Sequence, residues 1–167
     1  MTRYVVDAEA SAVTVAAHSS LHPIRRVGPV RGDIELTFSG DELDTAVDVG
    51  GKLELEVESM RGDTFLDREI ARRVDSSRYP TVSAQLTAAT SNGEPGLYRM
   101  SGVLSFHGHS EAVDGAARVR RRGDSSVEMD GHMQLDVRAF GVVPPKLLVL
   151  RVDPVIEVAL RLVASAG

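Results

Sequence analysis

The sequence predicts an all-β protein: an eight-stranded antiparallel barrel carrying one short α-helix. Three observations predict it. Apolar and polar residues alternate at every step in several separate stretches, which marks strands with one buried and one solvated face. A four-residue apolar spacing, the signature of a helix, occurs once. Short clusters of glycine, asparagine, serine and aspartate separate the alternating stretches. Eight such strands with a clean inside and outside suggest a closed sheet.

The elements follow in chain order. Strands are expected at Ala12 to Ala17 and at Asp33 to Phe38, then at Lys52 to Glu58, where Leu53, Leu55 and Val57 alternate with charged residues. The helical stripe comes next: Leu66, Ile70 and Val74 are four apart, with Asp63 a candidate N-cap. Ser76-Ser77-Arg78-Tyr79-Pro80 ends the helix and leads into a strand from Thr81 to Leu86. Further strands are expected at Leu97 to Phe106, Ala112 to Arg121, Glu128 to Arg138 and Leu148 to Leu162. Pro154 lies inside the last of these. It cannot donate to a ladder, so a bend, bulge or edge is expected there. Turns are marked by Ser39-Gly40-Asp41, Gly50-Gly51, Ser91-Asn92-Gly93, Gly108 and Gly123-Asp124.

The chain is expected to form one domain, residues 1–167, with no linker or repeat. It has no cysteine, which excludes disulfides, thiolate metal sites and a cysteine nucleophile. A net charge of -5 argues against general affinity for nucleic acid or anionic membranes, and 4% aromatics with no tryptophan make base-stacking platforms unexpected. Its longest apolar run, Leu147 to Leu150, is far short of the ~20 residues of a membrane helix, so no integral membrane segment is expected. The first residues do not read as a signal peptide, and the expected location is the cytoplasm.

The apolar phase of each strand should face inward. On that basis an apolar cavity is expected to be lined by Val15, Leu36, Phe38, Leu53, Leu55, Val82 and Leu86 from the first half of the chain. From the second half come Tyr98, Met100, Leu104, Met129, Met133, Phe140, Leu150 and Val158. Gly32, Gly102, Gly115 and Gly131 share the inward phase. Without side chains they would leave a barrel of this size partly hollow, although inward glycines also mark bends that let a sheet close. Methionines in the lining would adapt to an irregular guest.

Five segments, in order and spacing, resemble the YceI-like family over nearly the whole chain. They are Tyr4-Val5-Val6-Asp7 with Ser11 to Val15; Val30-Arg31-Gly32; Glu58 to Asp63 with Leu66 to Glu69 and Arg78 to Val82; Tyr98 to Gly108; and Asp136-Val137-Arg138-Ala139-Phe140-Gly141. The resemblance implies a lipocalin-like barrel that binds a polyisoprenoid or similar amphiphile in an elongated apolar channel. It implies no catalytic residues and no cofactor, and it allows for a homodimer. The segment His18 to Arg26 and the pair Pro144-Pro145 resemble a cytoplasmic, actinobacterial branch.

Three constellations invite other readings. His107 and His109 are two apart and His18 and His22 four apart, but no spacing is diagnostic of a metal site. Arg118, Arg120, Arg121 and Arg122 could clamp a ligand's phosphate head, or form a solvated hairpin tip. Ser105 lies close to His107, yet both fall on the outward phase, so no enzyme activity is expected. The Arg-Gly-Asp triplets at 31, 61 and 122 read as turn or strand chemistry. Non-catalytic binding of an isoprenoid-like lipid is therefore the leading expectation. The alternative is a structural or protein-interaction module with a filled core and no small-molecule ligand.

Overall fold

A computed structural model describes residues 1–62, 66–147 and 149–167. Eight antiparallel strands follow one another around a closed ring. Strand β1 comes in two pieces, Thr2–Val6 and Ala12–Ser19, and β2 likewise in Ile24–Gly28 and Arg31–Leu36. Strand β3 is Gly50–Glu56 with the short continuation Arg61–Gly62. The rest are unbroken: β4 Thr81–Ser91, β5 Leu97–Phe106, β6 His109–Arg122, β7 Ser126–Asp136 and β8 Leu150–Ala166. Each pairs with its neighbour in sequence, and β8 pairs with both pieces of β1 to close the barrel, with Tyr4 opposite Ala166 and Val158 opposite Val15.

Each break has a local cause. In β1 the Asp7 carboxylate accepts from the Glu9 and Ala10 amides, turning the chain out of the ladder. Ser11 then bridges the gap, donating to the Val163 carbonyl and accepting from the Val163 amide. In β2 the break falls at Pro29, which has no amide proton to pair. In β3 the chain winds into a 3-10 turn, Val57–Ser59, where the Ser59 hydroxyl donates to the Glu56 carbonyl.

The expected strands all occur, with shifted ends. The third was expected to reach Glu58 but yields to the 3-10 turn after Glu56. The seventh was expected to reach Arg138. It stops at Asp136, whose side chain caps a second 3-10 turn, Val137–Phe140, by accepting from the Arg138 amide. In the eighth, the expected start, Leu148, lies outside the described residues. Around Pro154 the register against β1 shifts between Val152 and Ile156, the irregularity expected of a residue that cannot donate. Helix α1 spans Asp67–Val74, shorter than the stripe suggested. The expected N-cap, Asp63, also lies outside the described residues. The helix ends on Asp75 in the left-handed conformation, φ 49°.

The two ends of the barrel differ. At one, Tyr4, Ile34, Leu36, Val127, Leu162 and Ala164 pack to between 0 and 2% exposure and plug the ring. A two-residue hairpin, Phe38–Ser39 against Glu42–Leu43, folds over this plug. At the other end the ring meets α1, the hairpin between the pieces of β1 and β2, and the described residues of 137–147 and 149–151.

Candidate functional site

Between the plug and α1 the barrel is hollow. The lumen has a volume of about 390 Å³, within the range of small-molecule pockets, and its walls are almost wholly aliphatic. Inward-facing side chains register the difference. Those in the plug are excluded from solvent, whereas Val13, Val15, Leu55, Leu86, Val158 and Leu160 share the same phase but remain only half-buried. They face space that no other side chain fills.

Eleven of the residues read as cavity-lining do line this space: Val15, Leu53, Leu55, Val82, Leu86, Met100, Leu104, Met129, Met133, Phe140 and Val158. Four do not, and each has a physical reason. Leu36 is 0% exposed inside the plug. Tyr98 is buried there too, its hydroxyl accepting from the Leu43 amide at 2.8 Å. Phe38 sits in the covering hairpin, edge-on to Tyr4 at 6.3 Å and beneath the Arg121 guanidinium. Leu150 packs with Ala17, Ile24 and Leu66 beside the helix.

The mouth brings residues that alternation did not mark. Ile24 and Arg26 of β2, Met60, Ile70 and Arg73 of α1, Val142, Pro144 and Pro145 all reach the lumen. Of these, Ile70 belongs to the helical stripe, whose apolar face had to cover something. Arg26, Arg73 and Asp153 are charged residues at this end of the lining. Arg26 donates to Asp67 at 2.5 Å, and Arg73 donates to Glu69 at 2.8 Å. Hydrogen bonds from Arg72 and then Arg73 hold the Glu69 carboxyl below the usual glutamate range.

The four inward glycines divide. A β-carbon at Gly32, Gly102 or Gly115 would meet a backbone oxygen of the adjacent strand at 2.0, 2.5 or 2.6 Å. These glycines let strands approach. A β-carbon at Gly131 would find its nearest neighbour at 3.5 Å, an ordinary contact, so at this position the missing side chain simply leaves the lumen open.

One stretch of wall is thin. The ladder between β6 and β7 runs from Arg122–Ser126 to Ala116–His132 and stops, while β7 continues against β8 to Asp136. The 3-10 turn after β7 brings Phe140, 1% exposed, against Leu104 and Val142 beside this gap. His107, at φ 54°, holds the turn in place through a 3.0 Å bond between Nδ1 and the Phe140 carbonyl oxygen.

The other constellations have structural partners. Ser105 hydrogen-bonds Ser110, not His107. His109 Nδ1 lies 2.9 Å from the His107 carbonyl. Among the described residues no three His, Asp or Glu side chains converge as metal ligands would. The arginine cluster sits at the plugged end, away from the mouth: Arg121 donates to the Gly40 carbonyl, and Arg122 pairs with Glu128 at 3.1 Å. It therefore cannot clamp the head of a molecule held in the lumen. Arg31 and Asp33 pair across strands with Glu54 and Arg3, as strand chemistry.

Among the described residues no helix is long and apolar enough to cross a membrane. Residues 4–164 match the model of a family described as the YceI-like domain. No curated protein matches the sequence. Among solved structures, BcnA of Burkholderia cenocepacia is similar, with a TM-score of 0.77 at 19% identity over 95% of this chain and 99% of that one. A polyisoprenoid binding domain from Saccharophagus degradans, implicated in plant cell wall breakdown, gives 0.75 at 13% identity over 100% of both chains. The YceI protein of Campylobacter jejuni gives 0.63 at 11% identity over 83% of this chain and 81% of that one. At these identities the likeness is one of fold.

Proposed function

The chain belongs to the YceI-like family, and on that premise we propose that it binds an apolar, amphiphilic lipid of the polyisoprenoid type inside the barrel and performs no chemistry on it. The observation that carries this reading is the unfilled aliphatic lumen. Burying a methylene is worth ~0.8 kcal/mol, so each five-carbon isoprene unit offers roughly 3–4 kcal/mol gross. A few units offset an association cost on the order of 4–15 kcal/mol. The polyisoprenoid binding domain from Saccharophagus degradans, similar in fold, supports the ligand class. Arg26 and Arg73, each beside a carboxylate, suit a head group that is polar or weakly anionic.

The alternative, a filled-core interaction module, is disfavoured by the half-buried inward aliphatics. A cytoplasmic setting and a homodimer belong to the same proposal, and cell fractionation and sedimentation velocity test them. Native mass spectrometry of protein purified from its own host tests the main claim. A co-purifying adduct of isoprenoid mass supports it. Only bare protein, together with failure to take up added polyprenols, rejects it.

A further inference from the structure

Among the described residues, apart from Met1, the three most exposed large aliphatics are Leu21, Val143 and Val149, at 62, 59 and 74%. All three lie at the mouth end, within three residues of Ile24, Pro144 and Val152, which line the lumen. Leu21 is in the hairpin between β1 and β2. Val149 precedes β8, and the two loops are tied together by the Ser20 hydroxyl donating to the Val149 carbonyl at 2.9 Å. Val143 adjoins Pro144 and Pro145, both on the lumen wall. Exposed aliphatics gathered at one end of a molecule mark a contact surface.

Charge identifies the partner. By sequence the stretches 17–26, 57–81, 105–110 and 135–153, whose described residues make up the mouth end, hold ten Arg or Lys and seven Asp or Glu, whereas the whole chain holds 19 and 24. The mouth end is thus positive on a chain of net charge -5. Most cations elsewhere on the barrel are paired across strands. Arg25, Lys146 and Arg151, beside the exposed aliphatics, make no side-chain ion pair among the described residues. Lys146 and Arg151 are direct partners across a two-residue ladder. Like charges placed opposite each other repel, and an anion bound between them would relieve the repulsion.

We propose that the mouth end docks on an anionic lipid surface, with Leu21, Val143 and Val149 entering the interface and Arg25, Lys146 and Arg151 meeting the phosphates. This goes beyond the lumen's ligand and does not depend on its identity. Loops with apolar tips and a basic collar suit the boundary between head groups and acyl chains. Each cation near such a surface contributes about fivefold in affinity. The orientation would place the mouth against the bilayer, where an apolar ligand could pass without crossing water.

Co-sedimentation with vesicles of mixed phosphatidylglycerol and phosphatidylcholine, against pure phosphatidylcholine, tests this on the full chain. Wild type should favour the anionic vesicles and lose that preference as salt rises. Lys146→Glu with Arg151→Glu should weaken binding by at least about 25-fold. Leu21→Ser with Val149→Ser should weaken it about tenfold or more. Arg118→Glu with Arg122→Glu makes the same charge change at the plugged end and should leave the anionic preference in place. Circular dichroism melts check folding, and titration with a fluorescent farnesol checks the lumen. Absence of anionic preference in wild type overturns the proposal, as does an equal loss from the plugged-end variant. So does a dimer that the Leu21→Ser, Val149→Ser protein converts to monomer without any vesicle binding, since a second copy then covers the patch. Vesicle binding retained while farnesol binding fails rejects the lumen reading and leaves the docking surface standing.

Discussion

Replacing Gly131 with leucine should fill the lumen from its own wall. Gly131 has ordinary backbone geometry, and a β-carbon there meets nothing closer than 3.5 Å. Its neighbours in phase, Met129 and Met133, both line the cavity, so the new side chain extends into empty space. Burying a leucine in apolar surroundings contributes about 1.5–3 kcal/mol, and removing a glycine from a strand interior adds a few tenths to 1 kcal/mol. Allowing for imperfect fit, about 2 kcal/mol of net stabilisation is expected. That raises the melting temperature of lipid-free protein by roughly 4–8 °C for a chain of this size. The same four carbons displace about four ligand carbons, costing roughly 3 kcal/mol, or a 100- to 200-fold loss of affinity. Calorimetry of delipidated protein and titration with a fluorescent farnesol read the two effects. Gly102→Leu is the contrast, because its β-carbon would collide with the Gln85 carbonyl oxygen at 2.5 Å and should destabilise the fold. A Gly131→Leu protein that melts lower and binds farnesol normally would refute the reasoning, since the wall at that point would then be packed.

Other expectations follow from the same geometry. Leu36→Ala, in the plug, should cost about 2–5 kcal/mol in urea titrations, whereas Leu86→Ala, which borders the lumen, should cost less than half as much. Equal losses would mean that the two ends are packed alike. Tyr98→Phe strands the buried Leu43 amide and should lower stability by about 1–3 kcal/mol, read by calorimetry; an unchanged melting temperature would contradict that bond. The Glu69 carboxyl titrates below its ordinary value of 4.5, chiefly through the Arg72 hydrogen bond and then that of Arg73. Its ion pairs therefore favour the folded state above about pH 4.5, and that contribution fades as pH falls through the lower folded value. Glu69→Gln should flatten the dependence of melting temperature on pH below 4.5, and an acid limb as steep as wild type's would assign it to other carboxylates.

The barrel was legible because its outer face is charged. Glu54 and Glu56 alternate with Leu53 and Leu55, and Glu128 and Asp130 with Met129, so each strand declares its two faces. The first piece of β2 was not, because Arg26 takes the inward phase beside Ile24 and Gly28, stabilised by Asp67 41 residues away. Its pattern reads as polar until the helix is in place. Which inward residues border empty space was also beyond alternation. Leu36 and Leu86 look alike in sequence, yet one lies where the hairpin of Phe38 to Leu43 closes the ring and the other where nothing does. Gly102 and Gly131 differ in the same way: only the distance to the next strand separates a glycine that permits pairing from one that leaves room.

The lumen itself is tested most directly by calorimetric titration of delipidated protein with geraniol, farnesol and geranylgeraniol. An aliphatic space of about 390 Å³ should reward each added isoprene unit with a steep gain in affinity and a more negative heat-capacity change, until the chain outgrows it and the gain levels off. Affinity that does not change across the three alcohols, with no heat-capacity change, would contradict it.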